Sequence, residues 1–463
     1  MTAPCDTTID LLDALRTHFG HRAFRAGQEE VVTAVLSGID VLAVMPTGSG
    51  KSLGYQLPAM VLGGTTLVVS PLISLMKDQV DELRRRGIPS AALHSALAPA
   101  LRREVTNAAR KGVWRLLYVA PERFASDEFV RLLGEMTISR FIVDEAHCVS
   151  EWGHDFRPDY RRLRTVAARC RRMDGTIGRP PIAAFTATAT PEVRDDIAAL
   201  LGLHSPRVLV AGFDRPNIYL RVEAVGGPEE KDDLLPRLVM GRRALVYAAT
   251  RRSTEAAAET LNAAGIRAAA YHAGLDDKER TRVQDAFANG SLRIVCATNA
   301  FGMGIDRPDV EAVVHYAIPG SVEAYYQEIG RAGRDGRRAT ATLLWDYVDV
   351  STREFLIDSP RRPQPGRRVV AVAPEEVARR KAIEHRKLQR MIAYAQTSEC
   401  LRATILRYFG DPAVRDPCGS CGNCESKAAN AALTPQRWSD RSYGRGFGGR
   451  RRHFRGWERF PDK

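Results

Sequence analysis

The sequence predicts an α/β fold: two tandem parallel-sheet lobes, then a helical metal-binding region and a basic tail. Three observations carry that prediction. Short apolar runs alternate with amphipathic, helix-like stretches up to about Val350, a glycine-rich Lys-Ser segment follows one of those runs, and four cysteines gather late in the chain. Such alternation indicates strands covered by crossover helices. The runs include 41–45, Leu67-Val68-Val69, Phe141-Ile142-Val143, Ala183-Ala184-Phe185, Ala244-Leu245-Val246, Ile294-Val295-Cys296 and Ala312-Val313-Val314. They suit two sheets better than one, with a break at Phe213-Asp-Arg-Pro-Asn217. The expected organisation is a first lobe over 1–212, a second over 213–350, a linker and helical metal-binding region over 351–428, and a flexible tail over 429–463.

The chain has 463 residues, 44% of them hydrophobic, enough for about three domains with real cores. No apolar run approaches the ~20 residues of a membrane span. The N-terminus, Met1-Thr-Ala-Pro-Cys-Asp, lacks the basic leader and apolar core of a secretory signal. A cytoplasmic protein with no membrane partner is expected. The net charge of +13 favours a polyanionic partner.

Residues 45–52, Met-Pro-Thr-Gly-Ser-Gly-Lys-Ser, follow the strand candidate Val41-Leu42-Ala43-Val44 and read as a nucleotide-phosphate cradle. Gly48 and Gly50 let the backbone bend so that consecutive N–H groups of Thr47, Gly48, Ser49 and Gly50 point at an anion. Lys51 is placed to reach the β- and γ-phosphates, and the Ser52 hydroxyl to hold Mg²⁺. A helix beginning near Lys51 turns its positive end toward the phosphates. Met45 stands where the usual pattern begins with glycine. Alone, the segment also suits a glycine-rich turn before an ordinary helix.

Asp144-Glu145-Ala146-His147 comes directly after the run 141–143. Its carboxylates therefore project from the carboxyl end of a parallel sheet, where open α/β sheets place their ligands. Asp144 fits a Mg²⁺ ligand, and Glu145 fits the residue that orients and deprotonates an attacking water. A surface pair capping a helix is the bland alternative, and it weakens behind a phosphate cradle. Further on, residues 325–336 read Tyr-Tyr-Gln-Glu-Ile-Gly-Arg-Ala-Gly-Arg-Asp-Gly. On a helix, Gln327, Arg331 and Arg334 share one face at i, i+4 and i+7. That face is expected to present two guanidiniums across a cleft and stabilise the charge of phosphoryl transfer.

Of eight cysteines, Cys5, Cys148, Cys170 and Cys296 are scattered. Cys418-x-x-Cys421-x-x-Cys424 puts three thiolates in one tight turn, with Gly419 and Gly422 as bends. Cys400, within a helical stretch expected from about Pro374 to Tyr408, completes a tetrahedral set. Structurally bound zinc is the expected occupant; an iron–sulfur cluster also takes four cysteines. After a Pro/Arg-rich linker and these cysteines comes the tail. From Thr434 to Lys463 it carries nine Lys+Arg against three acids, with Trp438, Tyr443, Phe447, Phe454, Trp457 and Phe460 interleaved. That composition suits single-stranded nucleic acid and is expected to stay disordered until bound.

With these segments in order, the chain resembles superfamily 2 helicases, and more closely the RecQ family of DNA helicases, over about residues 10–425. Phe24-Arg25-Ala26-Gly27-Gln28 is similar to that family's adenine-recognition element, which implies Arg25 and Gln28 at the nucleotide, Gln28 reading the adenine edge. Ser70–Gln79 resembles its DNA-contacting segment, and Thr186-Ala187-Thr188 the element coupling hydrolysis to lobe movement. Thr298–Asp306 resembles the second-lobe motif, with Asp306 facing the ribose. His147–Tyr160 resembles the family's aromatic-rich loop, a DEAH-box neighbour, which implies that Trp152, Phe156 and Arg157 touch single-stranded DNA. Phe213–Ile218 and the cysteine set, which binds zinc in that family, complete the likeness.

The resemblance implies RecA-like lobes with ATP and Mg²⁺ between them. Lys51, Ser52, Asp144 and Glu145 would stand on one side, and Gln327, Arg331 and Arg334 on the other. It also implies a zinc-bearing helical subdomain and 3′-to-5′ movement along single-stranded DNA. Tailed or forked DNA would be the substrate, single-stranded DNA-binding proteins the partners, and repair and recombination at the nucleoid the setting. Only about forty residues follow Cys424, so a short form without winged-helix and C-terminal helical domains is expected. Two alternatives stand beside this reading: an RNA-stimulated ATPase or RNA helicase, and a DNA-annealing protein with little unwinding.

Overall fold

The computed structural model describes residues 10–46, 48–153, 156–299, 301, 307–359 and 373–433, with side chains to 428. Thr47, Asp306, most of the segment 300–306, the linker 360–372 and the tail from Thr434 lie outside the described residues. The chain divides into a unit ending at Glu425 and a second from Ser426, of which the remainder of the helix Gly422–Leu433 is described.

Among the described residues the first unit contains two parallel sheets. The first comprises β1 (Val41–Val44), β2 (Thr65–Val69), β3 (Ser90–Leu93), β4 (Leu116–Val119), β5 (Thr137–Val143), β6 (Arg171–Arg172), β7 (Ile182–Thr186) and β8 (Arg207–Val210). Its order is β3-β4-β2-β5-β7-β1-β8, with β6 paired to β5. The second comprises β9 (Ile218–Ala224), β10 (Ala244–Tyr247), β11 (Ala268–Tyr271), β12 (Ile294–Ala297), β13 (Ala312–His315) and β14 (Ala339–Trp345), in the order β11-β12-β10-β13-β14-β9. β1, β2, β4, β7, β10, β12 and β13 are buried at every residue. Continuous apolar runs of this kind are required of strands covered on both faces.

Parallel pairing puts the carboxyl ends of all strands in a sheet on one rim. The cradle leaves β1 there, Ser70 leaves β2, Asp144 leaves β5 and Thr186–Thr188 leaves β7. The chain passes from β1 to β2 over β7 and β5, which makes this rim a topological switch point, the usual ligand crevice of such sheets.

Two helix expectations need correction. The helix carrying Gln327 runs Val322–Ile329, so Arg331 and Arg334 stand in turns beyond its end and share no helical face with Gln327. Gly333 and Gly336 keep it from resuming: they take φ of +54° and +82°, values at which helix cannot continue, and the Gly333 N–H bonds instead to the Val310 carbonyl. The stretch Pro374–Tyr408 is likewise two helices, Pro374–Gln396 and Leu401–Tyr408. Cys400 lies between them and caps the second, its Sγ accepting from the Ala403 N–H at 3.5 Å.

These helices pack on the segment joining the sheets. Buried Arg402 reaches the Asp214 carboxylate at 2.8 Å and the carbonyls of Arg215 and Ile218 at 2.7 and 2.6 Å. Phe213 stacks on Phe409 with ring centres 4.6 Å apart, and its N–H donates to Asp411 at 2.5 Å. No described helix is long and apolar enough to cross a membrane.

Candidate functional site

Gly48 and Gly50 have φ of +85° and +80°, so the cradle turns where only glycine is comfortable. Arg25 and Gln28 grip the turn from outside. The Arg25 guanidinium donates to the Gly48 carbonyl at 2.7 Å. Gln28 is buried and donates to the Ser49 and Gly50 carbonyls at 2.9 and 3.2 Å, while its Oε1 accepts from the Arg25 N–H at 2.8 Å. Both ends of the Gln28 amide are thus engaged with backbone, and the residue braces the cradle. A cavity of about 540 Å³ lies outside it, lined by Phe24, Arg25, Gly27, Glu30, Thr33 and Arg207.

Lys51 Nζ lies 3.3 Å from Glu145 Oε1. Glu145 has φ of +48°, a left-handed conformation that a non-glycine residue holds only under constraint. Its other oxygen is buried without a hydrogen-bond partner, 3.4 Å from His147 Nδ1. The same His147 nitrogen lies 2.9 Å from Thr186 Oγ1. Thr186 Oγ1 donates to the Thr188 carbonyl at 3.1 Å, and Thr188 Oγ1 accepts from Gln327 Nε2 at 3.1 Å. Polar groups therefore follow one another at 3.4 Å or less from the cradle lysine of one sheet to the glutamine of the other, with no hydrogen bond at the Glu145–His147 step.

Asp144 is buried, and burial, then the neighbouring Glu145 charge, push its carboxyl up to about 6 against the pull of Lys51. Tyr55, in the helix Leu53–Val61, is hydrogen-bonded to Ser52, and burial first, then Tyr118 and Asp144, hold its phenol well above the ordinary value. Tyr55 thus feels both the Ser52 hydroxyl and the Asp144 charge. A hydroxyl and a buried carboxylate beside a second carboxylate are hard oxygen donors that suit Mg²⁺. From the second sheet, Arg334 packs on the cradle, its Cγ 3.4 Å from where a Cβ on Gly48 would stand. Arg331 hydrogen-bonds Tyr247.

Trp152, Phe156 and Arg157 belong to the loop that follows β5. Arg157 donates to the Pro71 carbonyl at 3.1 Å, tying the loop after β5 to the segment after β2. The sequence missed the contacts of the Pro374–Gln396 helix with Trp152 and Phe156. Its Arg379-Arg380 and Arg386-Lys387 pairs, spaced by seven, were the available signal.

The four sulfurs of Cys400, Cys418, Cys421 and Cys424 lie within 4.8 Å of one another, with the Cys400–Cys421 and Cys418–Cys424 pairs at 4.0 Å. A tetrahedron of Zn–S bonds of ~2.3 Å has edges of about 3.8 Å, so the set fits a single zinc ion. A cluster of several irons holds its thiolates farther apart. Burial opposes charge on Cys418, yet the Ser420 N–H and the neighbouring thiols bring its pKa down to about 7. Asn423 donates to the Thr397 and Glu399 carbonyls, both at 2.7 Å, fixing the turn that presents Cys400.

Fold and site together define a protein of helicase superfamily 2. Three family models match: a DEAD/DEAH box helicase domain over 25–197, a helicase conserved C-terminal domain over 230–336, and a RecQ zinc-binding domain over 347–425. The chain belongs to the RecQ family. It is 42% identical to the ATP-dependent DNA helicase RecQ of Pasteurella multocida, over 89% of this chain and 62% of that protein. It is 40% identical to RecQ of Bacillus subtilis, over 90% and 67%. With the probable ATP-dependent DNA helicase RecS of Bacillus subtilis it shares 35% identity over 93% of this chain and 96% of the relative. It therefore spans about two thirds of the two RecQ proteins and nearly all of RecS. Among solved structures, the DUF1998 helicase MrfA bound to DNA aligns with a TM-score of 0.58 at 21% identity, over 88% of this chain and 57% of that one. Mycobacterium smegmatis Lhr bound to single-stranded DNA and AMP-PNP aligns with 0.56 at 22%, over 75% and 49%.

Proposed function

We propose that the protein is an ATP-dependent DNA translocase and helicase of RecQ type that moves 3′ to 5′ on single-stranded DNA, acting on tailed or forked DNA in repair and recombination. The observation that carries the reading is the contact series Lys51–Glu145–His147–Thr186–Thr188–Gln327, which gives nucleotide chemistry a route between the two sheets. Lys51 and the cradle N–H groups hold the phosphates. Ser52 and Asp144 are the residues for Mg²⁺, which when bound neutralises charge on the β- and γ-phosphates. Glu145 takes a proton from the water that attacks the γ-phosphorus as the bond to the bridging oxygen breaks. Arg331 and Arg334 stabilise the charge developing there. The adenine fits the cavity lined by Phe24 and Arg25, with Asp306 at the ribose. Trp152, Phe156 and Arg157 meet the DNA strand by stacking and charge.

Zinc at the four cysteines holds the helices around Cys400 and Cys418–Cys424 together and leaves no open position for chemistry. The test is strand displacement on 3′-tailed, 5′-tailed and forked duplexes, with ATPase stimulation by DNA and RNA strands measured in parallel. ATP-dependent displacement from 3′ tails, abolished by Glu145→Gln, is expected. Displacement from 5′ tails only, or stimulation by RNA alone, would overturn the reading.

A further inference from the structure

The helix Pro374–Gln396 carries a basic face that the nucleotide site does not use. Arg379 and Arg380 recur seven residues on as Arg386 and Lys387, which puts all four on one side of the helix. All four meet the loop that follows β5. The Arg386 guanidinium lies 5.0 Å from the Trp152 ring centre, and that of Arg380 lies 5.0 Å from Phe156. Arg161 covers Phe156 as well, at 5.1 Å. Arg379 pairs with Glu151 at 2.8 Å, and buried Lys387 donates to the Gly153 carbonyl at 2.7 Å. Beside Trp152 is a cavity of about 240 Å³, lined by Arg386, Lys387 and Arg390 with Thr190, Glu192 and Glu323.

A guanidinium over an aromatic ring is held by the ring's electron-rich face, and a nucleobase stacks on that same face. Each therefore excludes the other. A guanidinium that leaves the ring finds a stronger partner in phosphate, which it can grip with two N–H groups. The loop is also tightly joined to the catalytic strand end. A Cβ at Gly153 would lie 2.0 Å from the His147 carbonyl oxygen, and the Arg157 N–H bonds to the Cys148 carbonyl at 2.9 Å. Whatever holds Gly153 and Trp152 also holds His147 beside Glu145.

We propose that the basic face of this helix restrains the aromatic loop while no strand is bound, and that single-stranded DNA exchanges its arginines from the rings of Trp152 and Phe156 to the phosphates. The restraint keeps hydrolysis slow in DNA-free protein, and the exchange releases it. This rests on the reading, given above, of the loop as a DNA contact.

The experiment measures ATP hydrolysis with and without an oligo-dT strand in wild type and in Arg380→Gln/Arg386→Gln, with zinc content and melting temperature as checks of folding. Release of the restraint raises the DNA-free rate roughly three- to tenfold and shrinks stimulation by DNA. A DNA-free rate at or below the wild-type value in folded protein overturns the proposal. If the glutamine pair does not fold, Arg380→Lys/Arg386→Lys keeps charge and helix but loses planar stacking, and the same two outcomes decide. Trp152→Ala/Phe156→Ala separates the two readings. Undiminished affinity of that variant for oligo-dT overturns the DNA role of the loop and the exchange with it. Diminished affinity together with an unchanged DNA-free rate in the arginine variants overturns the restraint alone.

Discussion

A methyl group on Gly50 would stand 2.4 Å from Gln28 Nε2, on backbone at φ +80°. Gly50→Ala must therefore expel the Gln28 brace and strain the turn together, at a cost of roughly 1–3 kcal/mol. The melting temperature should fall, and a non-hydrolysable ATP analogue should no longer raise it; a normal ligand-induced rise would show that the cradle tolerates the methyl. Glu145 is the complementary case. Glu145→Gln preserves shape but cannot accept a proton, so hydrolysis should drop by about 10² or more while nucleotide binding persists. Turnover close to wild type would move the base elsewhere. The identity of this carboxylate was legible from its place after an apolar run. Its left-handed backbone and its direct ion pair with Lys51 were not, because the conformation and the 3.3 Å contact across 94 positions are set only once the parallel strands are aligned.

At the scale of elements, glycine overruled periodicity. Gln327, Arg331 and Arg334 have helical spacing, but the helix ends at Ile329 and Gly333 and Gly336, at positive φ, keep it from resuming, and Arg334 reaches Gly48 from a turn. Reading Gly333 and Gly336 as breakers would have excluded a helix running through Arg334. The helices around the cysteines depend on one buried cation. Arg402→Ala would leave the Arg215 and Ile218 carbonyls and the Asp214 carboxylate without their donor, and should destabilise by roughly 2–4 kcal/mol in denaturant unfolding. A change below the error of that measurement would mean that other contacts carry the junction. Removing zinc with a chelator should lower the melting temperature as Cys421→Ser does, because metal-binding energy is folding energy in such modules. Chelation that leaves the melting curve of wild type unmoved would argue against a structural ion.

Across the whole molecule, Thr188 of the first lobe and Gln327 of the second are hydrogen-bonded at 3.1 Å. Gln327→Ala removes the last link, so kcat should fall roughly tenfold with little change in KM for ATP if the link serves the closed, reacting arrangement. A rise in KM alone would instead make Gln327 a binding residue. The net charge of +13 is concentrated toward the end of the chain, and deleting residues 434–463 should weaken DNA binding and flatten its dependence on salt, since fewer counterions are released. An unaltered slope would exclude the tail from the interface.

Strand positions, the glycine-rich turn after β1, the acidic pair after β5 and the cysteine set were all readable from the chain alone. Each is encoded by neighbours within a few residues, through hydrophobic alternation, turn chemistry or ligand spacing. Tertiary structure alone decided that Gln28 braces the cradle, that Gln327 meets Thr188 across 139 residues, and that Lys387 takes the Gly153 carbonyl, across 234 residues, as its partner. Such contacts depend on which strand lies beside which and on how helices settle over the sheets. That is fixed by packing of the whole, and no local pattern in the chain records it.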